Sequence, residues 1–126
     1  MEVTKLDHLV LTVQDIEETK EFYQRLLGME SVVFGDGRVA LKFGSQKLNL
    51  HESGNELDPK ATCPAPGSAD LCFVTQTVLS DAMNHVKRCG VKIIQGPVNR
   101  TGACGSLLSF YFRDPNGNLI EVANEI

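Results

Sequence analysis

Four polar side chains stand in runs that are otherwise apolar and β-prone: His8 in LDHLVLTV, Asn49 in KLNLHE, Asp70 in ADLCFVT and Glu121 in NLIEVA. A carboxylate in the middle of an apolar strand is costly unless it is paired, hydrogen-bonded or metal-bound. Glu121 is therefore the residue to explain. Period-two alternation adds His51 to the face of Asn49, and places Ser109 and Tyr111 of SFYF beside them on an adjacent strand. Imidazole and carboxylate together suit a divalent first-row metal such as zinc, nickel, manganese or iron. His8, Asp70, Glu121 and His51 are its candidate ligands. An open coordination position would make that metal a Lewis acid on a substrate oxygen. Asn49 is a poor ligand beside histidine or glutamate and suits hydrogen bonding from behind the ligands. Two facing carboxylates without a metal would repel, and one would hold its proton to higher pH. The blander alternatives are a structural His8, and a Glu121 paired with Arg100 or Arg113.

The elements that must position these residues follow from local signals. Residues 6–13 read as a strand. Asp15 then caps a helix, with Glu18 three residues on completing a capping box. Ile16, Thr19, Phe22, Tyr23, Leu26 and Leu27 form its stripe, and Gly28 stops it. Strands follow at about 29–34, 38–43 and 46–51. Residues 52–68 lack periodicity and carry three prolines, which predicts a surface connector. The pattern then restarts: a strand over 70–75, a helix over 78–89 with Leu79, Ala82, Val86 and Cys89 inward, and a strand over 91–95. A glycine-rich loop over 96–105 carries Arg100, which suits a substrate carboxylate or phosphate. The stretch from Ser109 to Ala123 reads as strand, Asp114-Pro115-Asn116-Gly117 turn, strand.

The two halves form an internal repeat. An offset of 62 places His8 on Asp70 and Gly28 on Gly90; an offset of 72 places Asn49 on Glu121. The four polar residues thus occupy equivalent positions, expected to point inward. Each half reads as βαβββ, and the α+β fold predicted is two such modules making a curved eight-stranded mixed sheet with helices outside. The expected organisation is one domain, with modules 4–52 and 69–126 and a connector over 53–68.

The chain has 126 residues, a net charge of −4 and no basic cluster, which argues against a nucleic-acid partner. No apolar run approaches a membrane span and the start has no signal-peptide core, so the expected location is the cytoplasm. Of the four cysteines, Cys72 and Cys89 read as small core residues. Cys63 and Cys104 read as loop residues, with Cys104 the one candidate for reactivity.

DHLVLTV with FYxxxLGM-type spacing, KLNLHE and FYFRDPNGNLIEV together resemble the vicinal oxygen chelate superfamily, which includes glyoxalase I, fosfomycin-resistance proteins, extradiol dioxygenases and bleomycin-resistance proteins. The resemblance covers nearly the whole chain and is strongest in a glyoxalase-domain branch that includes bacterial virulence proteins. It implies the paired βαβββ fold and metal ligands at His8, Asp70 and Glu121, with Asn49 at the fourth place and Ser109 and Tyr111 at substrate-side positions of the fosfomycin-resistance type. Glyoxalase I would carry glutamate at Asn49 and histidine at Asp70, so the sequence departs from it at two places. The resemblance implies a metal-dependent glyoxalase-like, lyase-like or fosfomycin-resistance-like enzyme acting on a small oxygen-rich substrate, with Glu121 or Asp70 as the base. The alternative is a metal-free binding protein of the bleomycin-resistance type. It also implies a homodimer, in which the site closes between chains or within one.

Overall fold

The computed structural model describes residues 1–126, which divide into two units, Met1–Ser68 and Ala69–Ile126. In the first, β1 (His8–Val13) leads to α1 (Ile16–Leu27), then β2 (Glu30–Phe34), β3 (Arg38–Phe43) and β4 (Gln46–Glu52). The second repeats the order with β5 (Asp70–Val74), α2 (Leu79–Arg88), β6 (Gln95–Thr101), β7 (Ser106–Arg113) and β8 (Leu119–Glu125). The eight strands form two four-stranded mixed sheets, ordered β1-β4-β3-β2 and β5-β8-β7-β6. In each sheet the first strand runs parallel to the last, and the other neighbours are antiparallel. Residues 53–69 carry neither helix nor strand. No helix is long and apolar enough to cross a membrane.

In the first unit α1 forms for the local reasons its sequence announces. The Asp15 carboxylate accepts from the Glu18 N–H at 3.0 Å, and Gly28 closes the helix in the left-handed region at φ 64°. Thr19, Phe22, Tyr23 and Leu26 are its buried stripe. The helix packs on β2, β3 and β4. Leu11, Val13, Leu41, Leu48 and Leu50 are buried with it.

The second unit begins its helix differently. Val78 has no side chain able to cap α2, and Asn124 of β8 does the work instead. Its Oδ1 accepts from Leu79 N–H at 2.8 Å, while its Nδ2 donates to the Thr75 and Thr77 carbonyls at 2.9 and 2.8 Å. Replacing Asn124 with Ala strands three backbone groups, so a loss of about 2 kcal/mol is expected in urea denaturation. A loss below about 0.5 kcal/mol would show that water replaces these bonds without cost. Phe110, Phe112 and Ile120 are fully buried, on the sheet face opposite Glu121. Each contributes roughly 2 kcal/mol of apolar burial.

One element lies elsewhere than the sequence pattern places it. The strand expected over 91–95 and the loop over 96–105 give way to β6 over Gln95–Thr101, with residues 91–94 outside any strand. β6 is an edge strand, where a proline's missing N–H breaks no ladder. Gly96 and Pro97, which read as loop residues, fall where the β6–β7 register shifts between Gln95 and Val98.

The turn between β7 and β8 is held by a buried pair. Asp114 Oδ1 accepts from the N–H groups of Asn116 and Asn118, both at 2.9 Å, and Asp114 Oδ2 accepts from Asn118 Nδ2 at 2.8 Å. Asn118 Oδ1 in turn accepts from Ala69 N–H at 2.9 Å. This network ties the turn to the start of β5, and so fixes Asp70 beside Leu119.

Candidate functional site

The second sheet gathers most of the candidates on one face. Register pairs Cys72 with Glu121, Glu121 with Tyr111, and Tyr111 with Gln95. Alternation then puts Asp70, Ser109 and Arg100 on the same face, since Arg100 pairs with Leu107 and Ser109 lies two residues further along β7. Arg100 Nε donates to the Tyr111 hydroxyl at 2.8 Å, and its guanidinium carbon stands 5.4 Å from that ring's centroid. Its Nη1 donates to the Asn99 carbonyl at 3.1 Å. Arg113 reaches the Gly117 carbonyl at 3.5 Å. The two arginines that could have neutralised Glu121 are thus engaged with other groups. Ser109 is fully buried, with its hydroxyl unpartnered.

Two clefts open on this face. One, of about 400 Å³, is lined by Asp70, Gln95, Arg100, Tyr111, Arg113 and Glu121 among others. The other, of about 370 Å³, is lined by the 100–105 segment with Cys72, Val74, Leu107, Glu121 and Glu125. Arg100 and Glu121 border both.

Cys72 is not the core residue that its apolar neighbours suggest. It is exposed on the face of Asp70 and Glu121, because it lies two residues from Asp70 on a regular strand. Its thiol is pushed up to about 11, first by desolvation of the sulfur, then by the Glu121 charge and a hydrogen bond to that carboxylate, and last by Asp70. The S–H therefore donates to Glu121.

In the first unit, alternation along β1 puts His8 on the face of Asn49 and His51. His8 and Asp70 are exposed, each at the start of an edge strand of its unit's sheet. Asn49 and His51 are buried, on the face of their register partners Val10 and Thr12. Asn49 Oδ1 and His51 Nε2 have no hydrogen-bond partner. Asp7 meets His8: its Oδ1 lies 2.9 Å from His8 Nδ1. Asp7 precedes β1, so alternation does not bind it. That hydrogen bond, with the nearby imidazole and Lys5 and Lys47, holds the Asp7 carboxyl below its ordinary range.

The donors fit a metal in kind. A carboxylate behind Nδ1 fixes the tautomer and leaves Nε2 as the nitrogen available to a metal, an arrangement common among metal-binding histidines. Asp70 and Glu121 are oxygen donors on one face. In number they fall short, since no three His, Cys, Asp or Glu side chains gather where they could hold a metal ion.

The chain belongs to the Glyoxalase/Bleomycin resistance protein/Dioxygenase superfamily, which its residues 5–122 match. It is 62% identical to an integron cassette protein from the mobile metagenome of V. cholerae, with a TM-score of 0.98 over 100% of this chain and 98% of that one. It is 50% identical over 126 residues to virulence protein STM3117 of Salmonella typhimurium, covering 100% of this chain and 88% of that protein. With the glyoxalase domain-containing protein RDO1 of Mycosarcoma maydis it shares 53% identity over 124 residues, 98% of this chain and 70% of that one. The fold alone is shared with a lactoylglutathione lyase from Agrobacterium tumefaciens, at 23% identity and a TM-score of 0.74 over 98% and 96% of the two chains. The same holds for TnmS3, an antibiotic binding protein from Streptomyces sp. CB03234, at 21% identity and a TM-score of 0.78 over 100% and 99%.

Proposed function

We propose that this is a metal-dependent, homodimeric and cytoplasmic enzyme of the glyoxalase class, acting on a small oxygen-rich substrate. The observation that carries the reading is the Asp7–His8 pair: a carboxylate backing an exposed imidazole has little structural purpose at the surface, and orients a ligand nitrogen. His8, Asp70 and Glu121 are the proposed donors, with His51 a further imidazole. A divalent ion held by them would supply Lewis acidity to a substrate oxygen. Glu121 is the proposed base for a proton beside a carbonyl, with Asp70 the second carboxylate on its face. Arg100 and Tyr111 orient the substrate, and the buried polar atoms of Asn49 and Ser109 are further hydrogen-bonding groups for it.

Protein purified without chelators is expected to hold about one divalent ion per site by elemental analysis. His8→Ala and Glu121→Ala should each lose it, and Asp7→Asn should weaken metal affinity about 10- to 100-fold. Absence of metal, together with no thermal shift on adding nickel, zinc or manganese, would sink the reading.

A second reading is favoured by the lack of any three-donor cluster. It is a metal-free protein that sequesters a small molecule, comparable in fold to the antibiotic binding protein. It predicts ligand-induced stabilisation that EDTA leaves unchanged.

A further inference from the structure

We propose that the face of the second sheet takes a small amphiphilic monocarboxylate, its acid head at Arg100 and its apolar chain in the cleft of Val74, Ala103 and Leu107. The inference rests on the reading of this face as the substrate site and names the class of substrate.

The two clefts differ in chemistry. The larger holds both arginines, Arg100 and Arg113, together with the Tyr111 hydroxyl and Gln95. The smaller has the apolar walls of Val74, Ala103 and Leu107, with Cys72, Glu121 and Glu125 at its border. Arg100 borders both, so a molecule that reaches its guanidinium can lay a tail across the sheet into the second cleft. Arg100 is preorganised: Tyr111 holds its Nε and the Asn99 carbonyl holds its Nη1, so binding freezes little of its motion. Planar guanidinium favours planar carboxylate.

Charge limits the head group. Asp70 and Glu121 face the same cleft as the arginines. A single negative charge fits at the arginine end; a second would be driven against the carboxylates. Size limits the tail. Both clefts lie at the small end of the range for ligand pockets, which suits a small molecule laid across the two. Glu121 borders both clefts, so the carbon joining head to tail passes its carboxylate, where a base is needed.

The test is calorimetric titration of the full chain with straight-chain monocarboxylates from acetate to octanoate, and with n-alcohols and n-alkylamines of matched length. Carboxylate affinity should rise about three- to fourfold per methylene until the cleft is full, then level off. Alcohols and amines should bind at least about tenfold more weakly. Arg100→Gln should reduce carboxylates to the level of alcohols, and Val74→Asn should flatten the dependence on chain length. Should Arg100→Gln fail to fold by circular dichroism, Arg100→Lys decides. It keeps the charge but loses the Tyr111 bond, and should fall between wild type and alcohol-like binding. No binding across the series, equal binding of alcohols, or an unchanged preference in the Arg100 variant overturns the proposal. Metal content is read separately: a metal-bearing protein indifferent to carboxylates refutes this inference alone, and a metal-free protein that binds them refutes only the metal reading.

Discussion

At pH 8, Cys72 is expected to react with iodoacetamide about 100-fold more slowly than an accessible thiol of ordinary acidity. The factor follows from a thiol pushed from 9.0 to about 11, since only the thiolate attacks. Mass spectrometry of the peptide containing Cys72, sampled over time and pH, measures the rate directly. Glu121→Gln removes the facing charge and the anionic acceptor, so labelling should quicken by on the order of tenfold. The linkage to stability has a definite sign. Unfolded, the thiol loses its proton near 9.0; folded, it keeps it to about 11. Between these values the unfolded chain binds fewer protons, so this contribution is intact below pH 9.0 and is lost as pH rises through about 11. Labelling at pH 8 as fast as in denaturant would show that the sulfur is not held against Glu121.

Gly96→Ala is expected to cost on the order of 3 kcal/mol. The thermal midpoint should fall by about 10 °C or more. Two effects add. Gly96 has φ 124°, which L side chains rarely adopt. A Cβ there would also lie 2.6 Å from Phe110 Cβ, 2.7 Å from Phe110 Cα and 2.8 Å from the Ser109 carbonyl oxygen. Backbone cannot swing aside as a flexible side chain can, so β7 itself must shift, and β7 carries both core Phe110 and the candidate site residue Tyr111. Gly28→Ala is the control: φ is 64° but nothing lies within 4 Å of the added carbon. It should cost about 1 kcal/mol. Equal losses in the two variants would remove the steric half of the explanation.

What could be read from the chain beforehand depended on how local each signal was. Asp15, Glu18 and Gly28 act within their own helix, so α1 follows from sequence alone. Asn124 acts on a helix far from it in the chain, and nothing near Val78 reveals that cap. The internal repeat and alternation along β7 sufficed to bring Asp70, Glu121, Ser109 and Tyr111 together, and alternation from Asp70, applied strictly, would also have brought out Cys72. Apolar composition overrode the period there. At β6 the failure was chemical: glycine and proline at positions 96 and 97 signal a loop, and only the strand's place at the sheet edge lets them be strand. That error hid the alternation of Val98 and Arg100, and with it the face to which Arg100 belongs. Asp7 escaped because residues flanking a strand have no fixed side.

The hairpin between β6 and β7 closes on itself, with Gly102 N–H donating to the Gly105 carbonyl at 2.7 Å. It forms one wall of the apolar cleft, and the buried cores of Phe110, Phe112 and Ile120 lie on the other face of the sheet. Adding residues at this tip would enlarge the cleft for a cost that grows only with the logarithm of loop length, about 0.6 kcal/mol per doubling. The shape of the cleft and the foldability of the sheet therefore reside in separable parts of this module. Short insertions here would reshape the cleft without renegotiating the strand pairings that keep Glu121 in place.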